Sequence, residues 1–146
     1  MNQDDRLIDR LRTIAAALDG PPELVGESAR AALSTRRLDG ELAELVLDTP
    51  ADTAAVRSDE RIRLLAFHAV TASLEFQVHQ IGARVRIRGL VTGASGEVVV
   101  ETARQQRSGR IDAGGWFTID GLSHGLIRLR VRADDGTTVT TRWISV

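Results

Sequence analysis

The sequence predicts an α+β chain, in which short N-terminal helices precede an antiparallel β-sandwich of seven to eight strands. Three observations predict it. Apolar residues recur at three-to-four spacing up to about residue 47 and at a spacing of two after about residue 60. Clusters of Gly, Asp and Ser punctuate the second half, with no helical stretch between them. The charge balance turns over at the same place: residues 1–58 hold 7 Arg and 11 Asp or Glu, and residues 59–146 hold 12 Arg and 9 Asp or Glu. The expected organisation is a helical segment over 1–48, a linker over 49–60 and a sandwich over 61–146.

The first helix starts at Asp4 or Asp5, either of which caps an N-terminus. Leu7, Leu11, Ile14, Ala15 and Leu18 form its apolar face, and Gly20-Pro21-Pro22 ends it. Pro22 suits the first position of a second helix, with the stripe Val25, Ala29, Ala32 and Leu33, running to about Arg37. A third helix is expected over Leu38–Leu47, where Leu38, Leu42, Leu45 and Val46 share a face opposite Glu41 and Glu44. Residues 48–60 (DTPADTAAVRSDE) have no period and read as a linker.

Seven stretches then read as strands: RIRLLAFHAV, LEFQVHQ, ARVRIRGLVT, GEVVVETA, GRIDAGGWFTID, LIRLRVRA and TVTTRWISV. Turns are expected at 92–96, with GASG read as a hairpin loop, and at Ser108-Gly109, Ala113-Gly114-Gly115 and Asp134-Asp135-Gly136.

Composition bounds the chemistry. The 146 residues are 42% hydrophobic and 27% charged, with net charge −1, so the chain is of ordinary globular type. A fold of this size removes about 68% of its extended-chain surface from water, and two Trp and three Phe make the core mainly aliphatic. Cysteine is absent, which excludes disulfides, thiolate chemistry and Cys-based zinc sites. All 19 basic residues are Arg, so no lysine Schiff base or lysine general base is available. The charged start Met1–Arg12 does not read as a secretory signal, and no apolar run approaches the ~20 residues a membrane helix needs; the expected compartment is the cytosol.

No catalytic constellation emerges. His68, His79 and His124 lack metal-ligand spacing, although His68 and His79 fall on neighbouring strands and would need a carboxylate to complete a site. Ser95 lies in GASG and not in a nucleophile elbow. Asp112 and Asp120 flank the Trp116-Phe117 strand and fit turn-forming roles beside Gly. The candidate sites are therefore surfaces. Arg84, Arg86 and Arg88 project from one face of a strand, as do Arg128, Arg130 and Arg132; if the two strands share a sheet, six guanidinium groups stand together as a docking face for an acidic partner, or as a solvated face paired to Glu75, Glu97 or Glu101. With no aromatic residue between these arginines, nucleic acid is not the expected partner. Leu38, Leu42 and Leu45 could pack with Leu7, Leu11 and Leu18 in a three-helix core; roughly 50 residues are marginal for standing alone, so these helices either dock on the sandwich or form a groove for a partner helix.

Two stretches carry family resemblances. The run 112–129, DAGGWFTIDGLSHGLIRL, is similar to the signature of carboxypeptidase-regulatory-like, transthyretin-type domains. The likeness covers 83–146 and implies a small non-catalytic β-sandwich, with Phe117 and Ile119 inward, a turn over 121–125 and a returning strand. The run 29–48, ARAALSTRRLDGELAELVLD, together with the terminal strand RWISV, resembles small actinobacterial proteins encoded beside extracytoplasmic-function-type sigma factors and large tetratricopeptide/CHAT protease-like proteins. That resemblance implies a regulatory or adaptor role. The expected function is thus a cytosolic, non-enzymatic adaptor without cofactor or metal, binding a sigma factor or a CHAT/TPR protein through its N-terminal helices. The alternative is a ligand-binding sandwich for carbohydrate or peptide, for which Trp116 and Trp143 are the only large platforms.

Overall fold

A computed structural model describes residues 3–18, 22–35, 39–49 and 60–146. The two expected N-terminal helices form as α1 (Gln3–Leu18) and α2 (Glu23–Thr35). Pro22 sits just ahead of α2, and its carbonyl accepts the Val25 amide at 2.8 Å, closing the first turn.

Strands follow: β1 (Glu41–Thr49), β2 (Glu60–His68), β3 (Ser73–Ile81), β4 (Arg84–Thr92), β5 (Ala94–Thr102), β6 (Gln106–Arg110), β7 (Trp116–Ser123), β8 (Leu126–Ala133), β9 (Thr138–Thr141) and β10 (Ile144–Ser145). They lie in the order β6-β5-β8-β9-β1-β2-β3-β4-β7, with β10 beside β8. The pairing is antiparallel except where Glu41–Ala43 of β1 run parallel to Val139–Thr141 of β9. The sheet is thus mixed, with ten strands, and it curls into a nearly closed, barrel-like sandwich. At the seam, β6 and β7 meet by packing: a Cβ on Gly109 would stand 2.7 Å from the Thr118 carbonyl oxygen and from Ile119 Cγ1. Only glycine lets the two ends approach so closely.

The expected third helix is strand β1. Leu38 lies outside the described residues, as does most of the expected linker (50–59). From Glu44 to Thr49, β1 pairs with β2, and from Glu41 to Ala43 with β9, so it bridges the two halves of the barrel. In a helix, positions 42 and 45 share a face; in a strand they point to opposite sides. Leu45 packs on the core and Leu42 faces out. Long-range pairing overrides the helical propensity of this Glu/Leu/Ala-rich run.

Further expectations change, among them the turn at Ser108-Gly109, which lies inside β6. GRIDAGGWFTID divides at its Gly turn into β6 and β7, and TVTTRWISV divides at Arg142-Trp143 into β9 and β10. GASG is no hairpin loop, because β4 and β5 are not sheet neighbours; the chain crosses from one half of the barrel to the other there. The turn expected over 121–125 is shorter, since β7 runs to Ser123, and β8 after it pairs with β5, β9 and β10, not with β7. Phe117 and Ile119 do point inward.

The core is one cluster, with Phe67, Phe76, Leu65, Leu74, Ile87, Leu122, Ile127 and Leu129 fully enclosed. Each such side chain contributes about 1.5–3 kcal/mol by leaving water. No buried side-chain polar atom lacks a partner among the described residues. The Glu41 carboxylate accepts the Val70 amide and, at 2.8 Å, the Thr71 hydroxyl, which pins the β2–β3 turn to β1; these bonds hold its pKa below the usual carboxylate value.

Candidate functional site

Both Arg triplets point outward, but they do not form one face. Strand β4 is separated from β8 by four strands one way around the barrel and by three the other way, across the seam. The single six-guanidinium surface therefore does not exist. There are two arginine faces on opposite sides of the barrel, and each holds one tryptophan.

On the β8 side, Glu101 of β5 stands opposite Arg128. It accepts Arg128 Nε at 2.5 Å and Arg130 Nη1 at 2.9 Å. The Arg128 guanidinium lies 4.8 Å from the Trp143 ring centre, within cation–π range. Glu101 was one of the three expected acidic partners. This face is also where α2 docks: Ala31 is its one buried residue among those described, and a cleft of about 390 Å³ lined by Ala31, Glu101, Leu126 and Trp143 separates the helix from the barrel. The contact is made through Ala31 and not through the expected stripe, for Val25 and Leu33 are exposed.

On the β4 side, Arg86 pairs with Asp120 of β7. The Arg88 guanidinium lies 5.7 Å from the Trp116 ring centre, and Leu90 stands opposite Trp116 in register. An open groove of about 640 Å³ runs here, lined by Arg86, Arg88, Arg110, Asp112, Trp116 and Asp120. Its aromatic wall is built by the turn before β7. Asp112 Oδ1 accepts the amides of Gly114 at 2.9 Å and Trp116 at 2.8 Å, which is the turn role expected of it. Gly115 takes φ +85°, and a Cβ there would stand 2.5 Å from the Val91 carbonyl oxygen. Trp116 remains 49% exposed, so the barrel keeps one aromatic platform, while Trp143 is half-buried. The pairing of an indole with each triplet was invisible in the sequence, because Trp116 is 28 residues from Arg88 and meets it only through the β4–β7 register.

A third surface is α1. Leu7, Ile8, Leu11 and Ile14 are 46–58% exposed along it. Of the expected helical core, residues 42 and 45 belong instead to the barrel, Leu38 lies outside the described residues, and no described element packs against α1 beyond marginal contact.

His68 and His79 stand at opposite ends of the β2–β3 hairpin, six residues apart in register and so roughly 20 Å from one another. His124 Nε2 lies 2.9 Å from the Gly82 carbonyl oxygen. No group of three metal-ligating side chains converges among the described residues, and no described helix is long and apolar enough to cross a membrane. No protein-family model, curated protein or solved structure matches this chain.

Proposed function

We propose that this protein is a cytosolic, non-enzymatic adaptor that binds a protein partner through α1. The observation that carries the reading is the apolar stripe of α1, left in water beside a barrel whose core is already filled. Large side chains stranded in water along one helix face mark an interaction surface, and an amphipathic helix fits a groove between the helices of a partner. The resemblance of residues 29–48 makes a sigma factor or a CHAT/TPR protein the candidate partner. Leu42 and the Arg triplets fall on the barrel, so they leave α1 as the part of the helical segment that meets the partner. Leu38 lies outside the described residues and carries no part of this reading.

The test places a photocrosslinking amino acid at Leu11 in the full chain. Covalent capture of a sigma factor or helical-repeat protein, followed by binding of the two purified proteins, is the expected result. Crosslinks only within the chain's own barrel would contradict it.

A further inference from the structure

We propose that the groove over β7 is a second docking site, which holds an acidic, extended segment of a partner protein with an apolar side chain against Trp116 and carboxylates on Arg88 and Arg110. The inference goes beyond the α1 reading and does not depend on it. It gives the molecule a binding face on the barrel itself, separate from α1.

The argument is one of unspent groups. Of the acids lining the groove, Asp120 is engaged by Arg86, and one Asp112 oxygen is held by two turn amides. Arg88 and Arg110 form no ion pair with any described residue. The chemistry left over is cationic and donating, and a guanidinium fork matches a carboxylate. The indole beside it is positioned before any ligand arrives, because the Asp112 bonds and the left-handed Gly115 fix its backbone. Preorganised Trp and Arg, with no Lys, is the composition of interface hot spots.

The shape selects an extended chain. The groove is open and follows β7 from Trp116 to Asp120, roughly 13 Å of strand. A neutral sugar needs free acceptors beside its stacking ring, and the acids here are largely spent. Single-stranded nucleic acid needs a run of cationic contacts along its backbone, and among the described residues two guanidinium groups without an ion pair line this groove.

The experiment selects a random displayed peptide library on the full-length protein, with counter-selection on the Trp116→Ala variant. Enrichment of peptides that place Asp or Glu beside Leu, Ile, Val or Phe is expected. The enriched peptide is then synthesised with a fluorophore and its affinity read by anisotropy. Trp116→Ala, and separately Arg88→Gln with Arg110→Gln, should each weaken it about tenfold or more. Trp116→Phe should keep most of the affinity, and added salt should lower it. Equal unfolding midpoints confirm that the variants fold. Enrichment of neutral or basic peptides, or of none that depend on Trp116, would overturn the proposal. So would tighter binding of a polyuronate oligosaccharide or an oligothymidylate than of the acidic peptide.

Discussion

Glu101 on β5 and Arg128 on β8 face one another across the outer surface of the barrel, with Arg128 Nε 2.5 Å from Glu101 Oε2 and only 16% and 12% of the two side chains in contact with water. The same carboxylate takes Arg130 on its other oxygen. One acid thus compensates two cations, in the place where α2 settles on the barrel.

Removing that acid takes a counter-charge away from a nearly enclosed guanidinium. Exposed pairs are worth under about 1 kcal/mol and buried ones cost about 3–5 kcal/mol when one partner is deleted. Glu101→Gln is therefore expected to lower stability by about 2 kcal/mol, read from the shift in urea midpoint at constant slope. Arg130→Gln, whose side chain is 38% exposed, should cost clearly less.

The strand geometry of β1 predicts unequal effects at two leucines that a helix would treat alike. Leu45 packs on the core, so Leu45→Asp drives a carboxylate into apolar surroundings and should cost about 2 kcal/mol or more. Leu42 is 49% exposed on the opposite face, so Leu42→Asp should stay within about 0.5 kcal/mol. Chemical denaturation of both variants checks this; equal losses would favour the helix.

Closure of the barrel depends on the missing side chain at residue 109. Gly109→Ala puts a methyl 2.7 Å from Thr118 backbone and Ile119 side chain, so β6 or β7 must move. The expected cost is about 1–3 kcal/mol, with faster amide exchange confined at first to β6 and β7, read by hydrogen exchange.

Acid should weaken the junction of β1, β2 and β10. Arg63 Nε and Nη2 donate to both Asp48 oxygens, at 2.7 and 2.6 Å, and its Nη1 donates to the Ser145 carbonyl at 2.7 Å. The hydrogen bonds from Arg63 hold the Asp48 pKa below its ordinary 3.8. A carboxyl with a lowered folded pKa adds stability above its unfolded pKa and loses it as pH falls through the folded value. Stability should thus be flat near neutrality and decline below about pH 4, and Asp48→Asn should be less stable near neutrality with a shallower decline. An unchanged acid limb in that variant would contradict the assignment.

How far these features were legible before the fold was known depends on the range of the interaction. The alternation through Arg84–Arg88 and Ile127–Arg132 announces strands because each residue's face is decided by its immediate neighbours. The Asp112 turn and the inward Phe117 and Ile119 are local in the same way. Strand β1 was missed because its apolar residues fit a helical period equally well, and its partners, Val139–Thr141 and Leu64–His68, are distant in the chain. The single Arg face failed for a related reason: alternation tells which residues share a side of a strand, not which strands share a side of the barrel. The exposed stripe of α1 was legible as a stripe; that the barrel leaves it uncovered was not.

That uncovered stripe is the centre of the account, and one paired measurement tests it most directly. Wild-type protein and the Leu7→Asp, Leu11→Asp double variant are compared for thermal unfolding and for retention of the protein captured at residue 11. The account predicts coincident unfolding curves, since neither leucine supports the barrel, together with loss of the partner from the variant alone. A lowered midpoint with the partner still held would contradict it.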